Sequence, residues 1–257
     1  MSLALENLSI GYRKTPVLQS VTRPALLPGT VTGLIGPNAS GKSTLMKAIA
    51  GFLKPKHGTV TLNGVDLAGM GRSQRASAIS YMPQVFGCNA LLSVFESVLL
   101  SLKQGSGWRV TPQDLSRVSD TLDGLGLRNL SARGIDTLSG GQSQMVAVAQ
   151  AVVRRPEVLL LDEPTSALDI HHQLSILGAV RRICHQERPV IIIALHDLNL
   201  AARYCDRLLL LCEGSLQADG RPDQVLALES IGNAYQVETA LERTRVGDLF
   251  VDVRLPA

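Results

Sequence analysis

The chain has 257 residues, 45% of them hydrophobic, enough for one large domain or two small ones with a substantial core. Its 25 basic and 22 acidic residues leave a formal charge of +3, which is too balanced to indicate nucleic acid or a membrane surface as a partner. No apolar run reaches the length of a membrane span, the first residues lack a secretory signal pattern, and the four cysteines have no pairing or metal-ligand spacing. We therefore expect a soluble cytoplasmic chain, whose role at a membrane would need a partner.

The first residues predict a strand and a turn. Apolar and polar side chains alternate over residues 3–10, with a slip near Glu6 and Asn7, and a turn follows at residues 11–13. Tyr12 lies in this turn and could stack on a nucleotide base, because an aromatic face accepts any purine. The alternative is a surface tyrosine that packs on a hairpin, and only the next motif favours base stacking.

A glycine-rich segment matches the phosphate-loop pattern G-x-x-x-x-G-K-[ST] at every fixed position, between a predicted strand (residues 31–35) and a predicted helix (residues 43–50). Its glycines let successive N–H groups point at phosphate oxygens, and the helix start adds a positive dipole end. Lys42 can reach the β- and γ-phosphates, and the Ser43 hydroxyl can ligate Mg²⁺. A glycine-rich turn that binds nothing would not explain the Lys-Ser pair. The predicted phosphate-binding residues are Gly36, Pro37, Asn38, Ala39, Ser40, Gly41, Lys42, Ser43 and Thr44.

Two short strands are predicted next, at residues 59–64 and 79–82, and the second ends at Pro83 and Gln84. The amide of Gln84 can reach a metal ion or a water molecule if this strand end faces the phosphates. Without the other motifs, an ordinary turn glutamine would be the better interpretation.

Residues 85–155 change from strand to helical periodicity, and we interpret them as a helical insertion in an α/β domain. Residues 93–102 are amphipathic, and Thr111 followed by Pro112 resembles a capping-box start. Apolar residues at helical spacing follow: Leu115, Val118, Leu122 and Leu125. Trp108 lies in the preceding loop, and we expect it to serve local packing.

A second anion site is predicted where Ser139, Gly140, Gly141 and Gln142 open a helix running to about residue 153. Free N–H groups, a helix dipole and a hydroxyl coincide there. One chain does not need two γ-phosphate sites so far apart, so we expect this one to complete the site of another subunit.

A continuous apolar run at residues 158–161 predicts a central parallel strand that ends in two carboxylates. Asp162 can hold the Mg²⁺ shell, whereas Glu163, one residue further, can polarise an attacking water. A surface acidic turn would explain neither the buried run nor the phosphate loop upstream.

A long helix over residues 170–186 is predicted to begin with His171 and His172, which should point to different faces, so metal binding is not expected. A core strand over residues 190–195 ends at His196. A lone histidine there is often structural, but ligand sites form at strand ends in α/β folds, so we predict a γ-phosphate contact. The remaining residues mix strand (208–212 and 249–253) and helix (230–235).

Taken together and in this order, these motifs resemble the ATP-binding subunits of ABC transporters along nearly the whole chain. The resemblance implies an α/β fold: a P-loop NTPase core (ABC ATPase) with an N-terminal antiparallel β part and an inserted helical subdomain. It implies a single ABC ATPase domain over residues 1–257, with residues 85–155 as the insertion. ATP and Mg²⁺ are the implied cofactors.

The resemblance also assigns roles. It implies a head-to-tail dimer of two copies, with each ATP between the phosphate loop of one copy and Ser139, Gly141 and Gln142 of the other. Glu163 would be the general base, His196 the switch histidine, and Gln84 the link to an integral membrane permease. The three together would be the catalytic residues. The chain would sit at the cytoplasmic face of the inner membrane through that permease, act indirectly with a substrate-binding protein, and bind no nucleic acid.

Residues 196–207 and the Tyr81–Gln84 tetrapeptide resemble the subfamily that serves importers of iron chelates, haem and cobalamin, with ferric siderophores as the expected cargo. Two departures stand out. Met145 and Gln150 occupy positions where the family usually has arginine, and the loop over residues 103–112 is unusual.

Two other functions compete with a transport motor. A soluble ABC ATPase of DNA repair would need a long heptad coiled coil, and a translation factor would carry two sets of motifs; this chain has neither. A small-molecule kinase would leave His196 unexplained, and also residues 138–142, which resemble the signature segment of the ABC family.

Overall fold

The computed structural model describes residues 2–13, 15–84, 91–104, 107 and 109–256, with the backbone but not the side chain of Pro24. Trp108 and residues 85–90, the start of the predicted insertion, lie outside the described residues.

The strands are, in chain order, β1 (Leu3–Tyr12), β2 (Thr15–Leu26), β3 (Thr30–Ile35), β4 (His57–Leu62), β5 (Val65–Asp66), β6 (Ile79–Met82), β7 (Val158–Asp162), β8 (Val190–Ala194), β9 (Arg207–Cys212), β10 (Ser215–Gly220), β11 (Glu238–Arg243) and β12 (Leu249–Arg254). The helices are α1 (Lys42–Ala50), α2 (Arg72–Ala78), α3 (Val94–Lys103), α4 (Pro112–Gly124), α5 (Gly140–Val152), α6 (Ile170–Glu187), α7 (Leu198–Tyr204), α8 (Pro222–Val225) and α9 (Glu229–Tyr235).

The central sheet has the order β10-β9-β3-β8-β7-β6, and every pair in it is parallel except β10 with β9. Consecutive parallel strands are joined through helices, so their carboxyl ends meet at one edge of the sheet. The predicted phosphate loop, Asp162 and His196 follow β3, β7 and β8, respectively. The topology therefore brings together residues that are far apart in the sequence.

Both faces of the central strands are buried, which explains their uninterrupted apolar runs. In β7, Leu159 and Leu161 pack into the core shared with α3, α4 and α5. Val158 and Leu160 point to the other face and pack with α1 and the N-terminal sheet. The alternation follows from the two-residue period of a strand.

The N-terminal sheet is antiparallel, with the order β2-β1-β4-β5. The β1–β2 register shifts between Leu5 and Leu8, where Asn7 has a φ of 48°. Such a shift is a bulge, and it accounts for the slip in the sequence alternation at this point. The sheet covers α1, so the phosphate loop is held between two sheets.

The helices α3, α4 and α5 pack against one another. All three begin with capping boxes, Ser93 with Glu96, Thr111 with Asp114 and Ser139 with Gln142, and α4 starts with Pro112 as predicted. Val118 and Leu122 are buried, whereas Leu115, at the same helical spacing, is 42% exposed.

The C-terminal residues form α9 and a β11–β12 hairpin that packs on α7. The side-chain amide of Asn199 in α7 donates to the Val251 carbonyl and accepts from the Val251 N–H. Within the part of the chain that the structure describes, no helix has both the length and the apolar character needed to cross a membrane.

Candidate nucleotide site

The phosphate loop has a conformation that only glycine tolerates at two positions. Gly36 and Gly41 have φ values of 145° and 107°. A Cβ at Gly36 would lie 2.0 Å from the Leu211 carbonyl oxygen, and one at Gly41 would lie 2.5 Å from Leu18 Cδ2. These requirements explain why the loop motif fixes glycine at both places.

A cavity of about 300 Å³ lies over the loop, lined in part by Asn38, Lys42, Ser43 and Glu163. The Ser40 hydroxyl is buried, at 4% exposure, and has no hydrogen-bond partner among the described residues. A buried polar group without a partner costs free energy unless something satisfies it. The phosphate oxygens of a nucleotide fit this loop, since they would accept that hydrogen bond.

Lys42 folds back over the loop in this structure. Its Nζ donates to the carbonyl oxygens of Gly36 and Pro37, at 2.8 Å each. Burial lowers the pKa of Lys42, while the carboxylates of Glu163 and Asp162 act in the opposite direction. The ammonium group is therefore poised beside the cavity, where a phosphate could replace the two carbonyl partners.

The Ser43 hydroxyl donates to Asp162 Oδ1 at 3.1 Å, and Asp162 is buried at the end of β7. A hydroxyl and a carboxylate side by side at a phosphate loop form an oxygen donor set that fits Mg²⁺. The second carboxylate oxygen, Oδ2, accepts a 2.9 Å hydrogen bond from the Tyr81 hydroxyl.

Glu163 follows directly and has a φ of 53°, a left-handed conformation that is uncommon for a residue other than glycine. The backbone therefore turns sharply between the two carboxylates. Gln84 Nε2 donates to Glu163 Oε2 at 2.6 Å, and His196 Nε2 lies 2.5 Å from Glu163 Oε1. The structure thus brings together the three residues that the sequence put forward as catalytic, and places Gln84 on Glu163 rather than on Ser43 or Asp162.

The signature segment forms the first turn of α5. The Ser139 hydroxyl accepts from the Gln142 N–H at 3.3 Å, and the Gln142 side chain accepts from the Ser139 N–H at 3.1 Å. Ser139 and Gly140 are exposed, and Gly141 is buried beneath His172. Among the described residues, none of the hydrogen bonds of Ser139 or Gln142 reaches the phosphate loop of the same chain.

His171 and His172 do not point apart as predicted. Their rings meet edge to face with centroids 5.5 Å apart, and their nitrogens lie within 4.8 Å of one another and of a carboxylate oxygen of Asp169. The reason is local, because Asp169 caps α6 by accepting from the His172 N–H and also holds the His172 ring through Nδ1 at 2.8 Å. We assign this cluster a structural role at the start of α6.

Tyr12 stands at the end of β1 with its side chain 47% exposed, and base stacking there stays a prediction. Met145 is partly buried against the helical core, and Gln150 lines a cleft beside Tyr81 and Arg154.

Sequence reasoning missed two tyrosines that contact the site. Tyr81 was noted only as part of a tetrapeptide, although its place near the end of β6 was a usable signal. Tyr235 hydrogen-bonds the N–H of Gly36 from 199 residues away, and no local pattern could have revealed that contact.

A phosphate loop at the end of β3, a buried Asp-Glu pair at the end of β7 and a histidine after β8 define a P-loop nucleotide-hydrolysing protein. The ABC transporter family model matches residues 23–166, more than half of the chain. The chain belongs to the ABC transporter family, and it is an ABC ATPase that binds ATP.

Curated relatives align over most of this chain. It is 38% identical to the hemin import ATP-binding protein HmuV of Gloeobacter violaceus, over 88% of this chain and 84% of that one. A probable siderophore transport system ATP-binding protein of Bacillus subtilis is 31% identical over 92% and 86%. The cobalamin import ATP-binding protein BtuD of Halobacterium salinarum is 33% identical over 94% of this chain and 60% of its own length.

Solved structures agree with the fold. An ATP-binding subunit of an ABC transporter superposes with a TM-score of 0.76 at 27% identity, covering 91% of this chain and 95% of that one. A dimeric ATP-binding cassette in a post-hydrolysis state, bound to ADP and phosphate, gives a TM-score of 0.77 at 26% identity over 86% and 98%. The α/β fold with an antiparallel N-terminal sheet is therefore that of an ABC ATPase.

Proposed function

We propose that this chain is the ATP-hydrolysing motor subunit of a membrane importer, and that its cargo is a ferric siderophore. The observation that carries the motor role is the grouping of Glu163, Gln84 and His196 beside the Ser43–Asp162 pair. The Glu163 carboxylate can accept a proton. The Gln84 amide, which could transmit contact with a partner, and the His196 ring both contact that carboxylate.

Each residue has a part in hydrolysis. Glu163 takes the proton of the attacking water, and His196 orients Glu163 and contacts the γ-phosphate. Lys42 and the loop N–H groups hold the phosphates. Ser43, Asp162 and Gln84 are the residues that would hold Mg²⁺. Bound Mg²⁺ would supply charge neutralisation at the β- and γ-phosphates.

The signature supports a second copy of this chain as a partner. Ser139 and Gln142 satisfy each other, while the exposed start of α5 keeps N–H groups and a dipole end that the described residues of its own chain do not use. In a head-to-tail dimer, Ser139, Gly140, Gly141 and Gln142 would face the ATP on the other copy. The related cassette is itself dimeric with ADP and phosphate bound, which supports a dimer of this chain.

A permease would dock on the helical segment, which we propose to be a subdomain over residues 85–155 inserted in one ABC ATPase domain. A groove of about 200 Å³ beside α3 is lined mostly by apolar side chains, including Leu92, Leu99 and Val110. Leu100 and Val110 are 40% and 46% exposed, which favours a short apolar helix as occupant. Through the permease the chain would lie at the cytoplasmic face of the inner membrane. A substrate-binding protein would deliver the cargo to the permease on the opposite side of that membrane.

The assignment of the cargo rests on the names of the similar proteins. Proteins named for siderophore and hemin import resemble this chain over most of its length, and a cobalamin relative resembles it as well. Haem or cobalamin import is the second candidate, and a soluble ABC ATPase the third.

Uptake of radiolabelled ferric siderophores, haem and cobalamin by cells lacking this gene tests the cargo. We expect siderophore uptake to fall, and to return with the wild-type gene but not with a Lys42→Ala copy. Loss of haem or cobalamin uptake alone would reject the siderophore and keep the motor. Unchanged uptake of all three, together with no copurifying membrane protein, would reject the importer.

A further inference from the structure

The Tyr81 hydroxyl reaches the carboxylate at the end of the neighbouring strand. Strands β6 and β7 are parallel, and Tyr81 pairs with Leu160, two residues before Asp162. The side chain runs along the strand direction, and its hydroxyl donates to Asp162 Oδ2 at 2.9 Å. The Phe52 ring packs on it at a tilt of 56°, with centroids 5.6 Å apart, which restricts the phenol to this direction.

The two oxygens of Asp162 are thereby divided between two hydroxyl donors. Ser43 holds Oδ1 at 3.1 Å, and Tyr81 holds Oδ2. Asp162 is only 1% exposed, so water is largely excluded from fixing its orientation. With one donor on each oxygen, the carboxylate plane has a single preferred rotation about its Cβ–Cγ bond.

The phenol is suited to this role. A tyrosine hydroxyl keeps its proton at neutral pH, so it remains a donor to the carboxylate. Tyr81 bonds the oxygen that Ser43 does not, and among the described residues it is not one that lines the cavity over the phosphate loop.

We propose that Tyr81 is a positioning residue that orients Asp162 for the divalent cation, so that its hydroxyl sets the affinity of the site for the metal. The inference rests on the proposed Mg²⁺-dependent motor. It adds a hydroxyl that donates a hydrogen bond to one of the proposed metal ligands. Hydrogen bonds to metal-ligating side chains typically contribute about 10- to 100-fold to metal affinity. We expect the lower end here, about 10-fold, because Ser43 still holds the other oxygen.

A purely structural role for Tyr81 makes a different prediction. Loss of the hydroxyl would then lower the stability of the chain and the affinity for free nucleotide without a selective effect on the metal. The test must therefore measure the metal directly and separately from turnover.

The experiment compares full-length wild type with Tyr81→Phe, which keeps the ring on Phe52, and Tyr204→Phe as a matched control. Tyr204 is a partly buried tyrosine of α7 that packs against the core and carries Arg203 over its ring. Binding of Mn²⁺ is titrated by electron paramagnetic resonance in the presence of a non-hydrolysable ATP analogue. Analogue binding in EDTA and thermal unfolding without metal are measured on the same samples.

We expect Tyr81→Phe to bind Mn²⁺ about 10-fold more weakly, with metal-free analogue binding unchanged and Tyr204→Phe matching wild type. In turnover, the Mg²⁺ concentration for half-maximal rate should rise, while the rate at saturating Mg²⁺ is largely kept. Equal Mn²⁺ affinity in Tyr81→Phe and wild type overturns the proposal, as does an equal loss of metal-free binding.

If Tyr81→Phe does not fold, Tyr81→Met replaces it, since a flexible apolar side chain can fill the same space without a donor. The proposed function fails separately, because wild type would then bind neither the analogue nor Mn²⁺. That result would reject the motor and, with it, this inference.

Discussion

The Tyr235 hydroxyl accepts a 2.7 Å hydrogen bond from the backbone N–H of Gly36, the first residue of the phosphate loop. The bond ties α9, near the C-terminal end of the described chain, to the end of β3. The carbonyl of the same glycine accepts from Lys42 Nζ, so both backbone polar groups of Gly36 are satisfied by side chains. The loop is therefore anchored from its own helix and from the far end of the sequence.

Replacement of Tyr235 by phenylalanine leaves the Gly36 N–H without its partner in a part-buried place. Leaving such a group unsatisfied typically costs about 1–3 kcal/mol, so we expect a drop of that order in the free energy of unfolding. ATP affinity should fall as well, because the start of the loop loosens. Denaturant unfolding and nucleotide titration measure the two effects, and Tyr204→Phe serves as control. An unchanged free energy of unfolding would show that the bond contributes nothing.

The same tyrosine predicts a loss of stability at alkaline pH. Burial raises the pKa of Tyr235 from about 10 in the unfolded chain to about 12 in the fold. A folded pKa above the unfolded value means that the contribution is complete below about pH 10 and is lost as the pH rises through 12. The wild type should therefore lose more stability than Tyr235→Phe between these values. Parallel pH profiles for the two proteins would contradict the assignment.

Lys42→Ala removes the ammonium that the structure holds beside the cavity on two carbonyl oxygens. We expect nucleotide binding or turnover to fall to background, because the β- and γ-phosphates lose their cation. Phosphate release in Mg-ATP measures turnover, and the circular dichroism spectrum checks that the fold is kept. Normal ATPase rates in a folded variant would sink the hydrolytic assignment.

Glu163→Gln keeps the shape of the side chain that Gln84 and His196 contact but removes the base. ATP should then persist between two copies, and the dimer should accumulate. Light scattering in Mg-ATP, with wild type and a nucleotide-free sample for comparison, gives the mass. A variant that stays monomeric with and without its membrane partner contradicts the head-to-tail arrangement.

Gly141 lies under the His172 ring, and a Cβ there would be 2.1 Å from His172 Cδ2. An alanine inside a helix normally stabilises by about 0.5–1 kcal/mol relative to glycine, but an overpacked contact typically costs about 1–3 kcal/mol. We expect Gly141→Ala to destabilise the isolated chain and Gly140→Ala, where a Cβ meets no described atom within 4 Å, to leave its stability equal or higher. Adding His172→Ala should restore the stability that Gly141→Ala loses. Equal unfolding midpoints for the two alanine variants would remove the packing argument.

The phosphate loop, the Asp162–Glu163 pair and the strand before each could be predicted because local rules are sufficient there. A loop that cradles phosphate needs glycine at fixed places, and a buried parallel strand needs an unbroken apolar run. The capping box at Thr111 is equally local. Contacts across the sheet could not be predicted in this way, since they depend on which strands become neighbours.

Tyr81 is an example of that limit. Its own segment predicts a strand end, but only the parallel pairing with β7 brings its hydroxyl to Asp162. The prediction that the two histidines at the start of α6 point to different faces failed for another reason. Helical spacing alone separates adjacent side chains, whereas Asp169 draws the His172 ring back toward the cap.

Glu163 already has a donor or a ring nitrogen at each of its two carboxylate oxygens in this structure. An attacking water would compete with these contacts for the carboxylate, and Gln84 directly precedes the proposed docking segment in the sequence. A cell that holds more copies of this chain than of its permease should therefore lose little ATP to the surplus. Copies without a permease would stay folded but hydrolyse little ATP, and their hydrolysis would begin when a membrane partner binds.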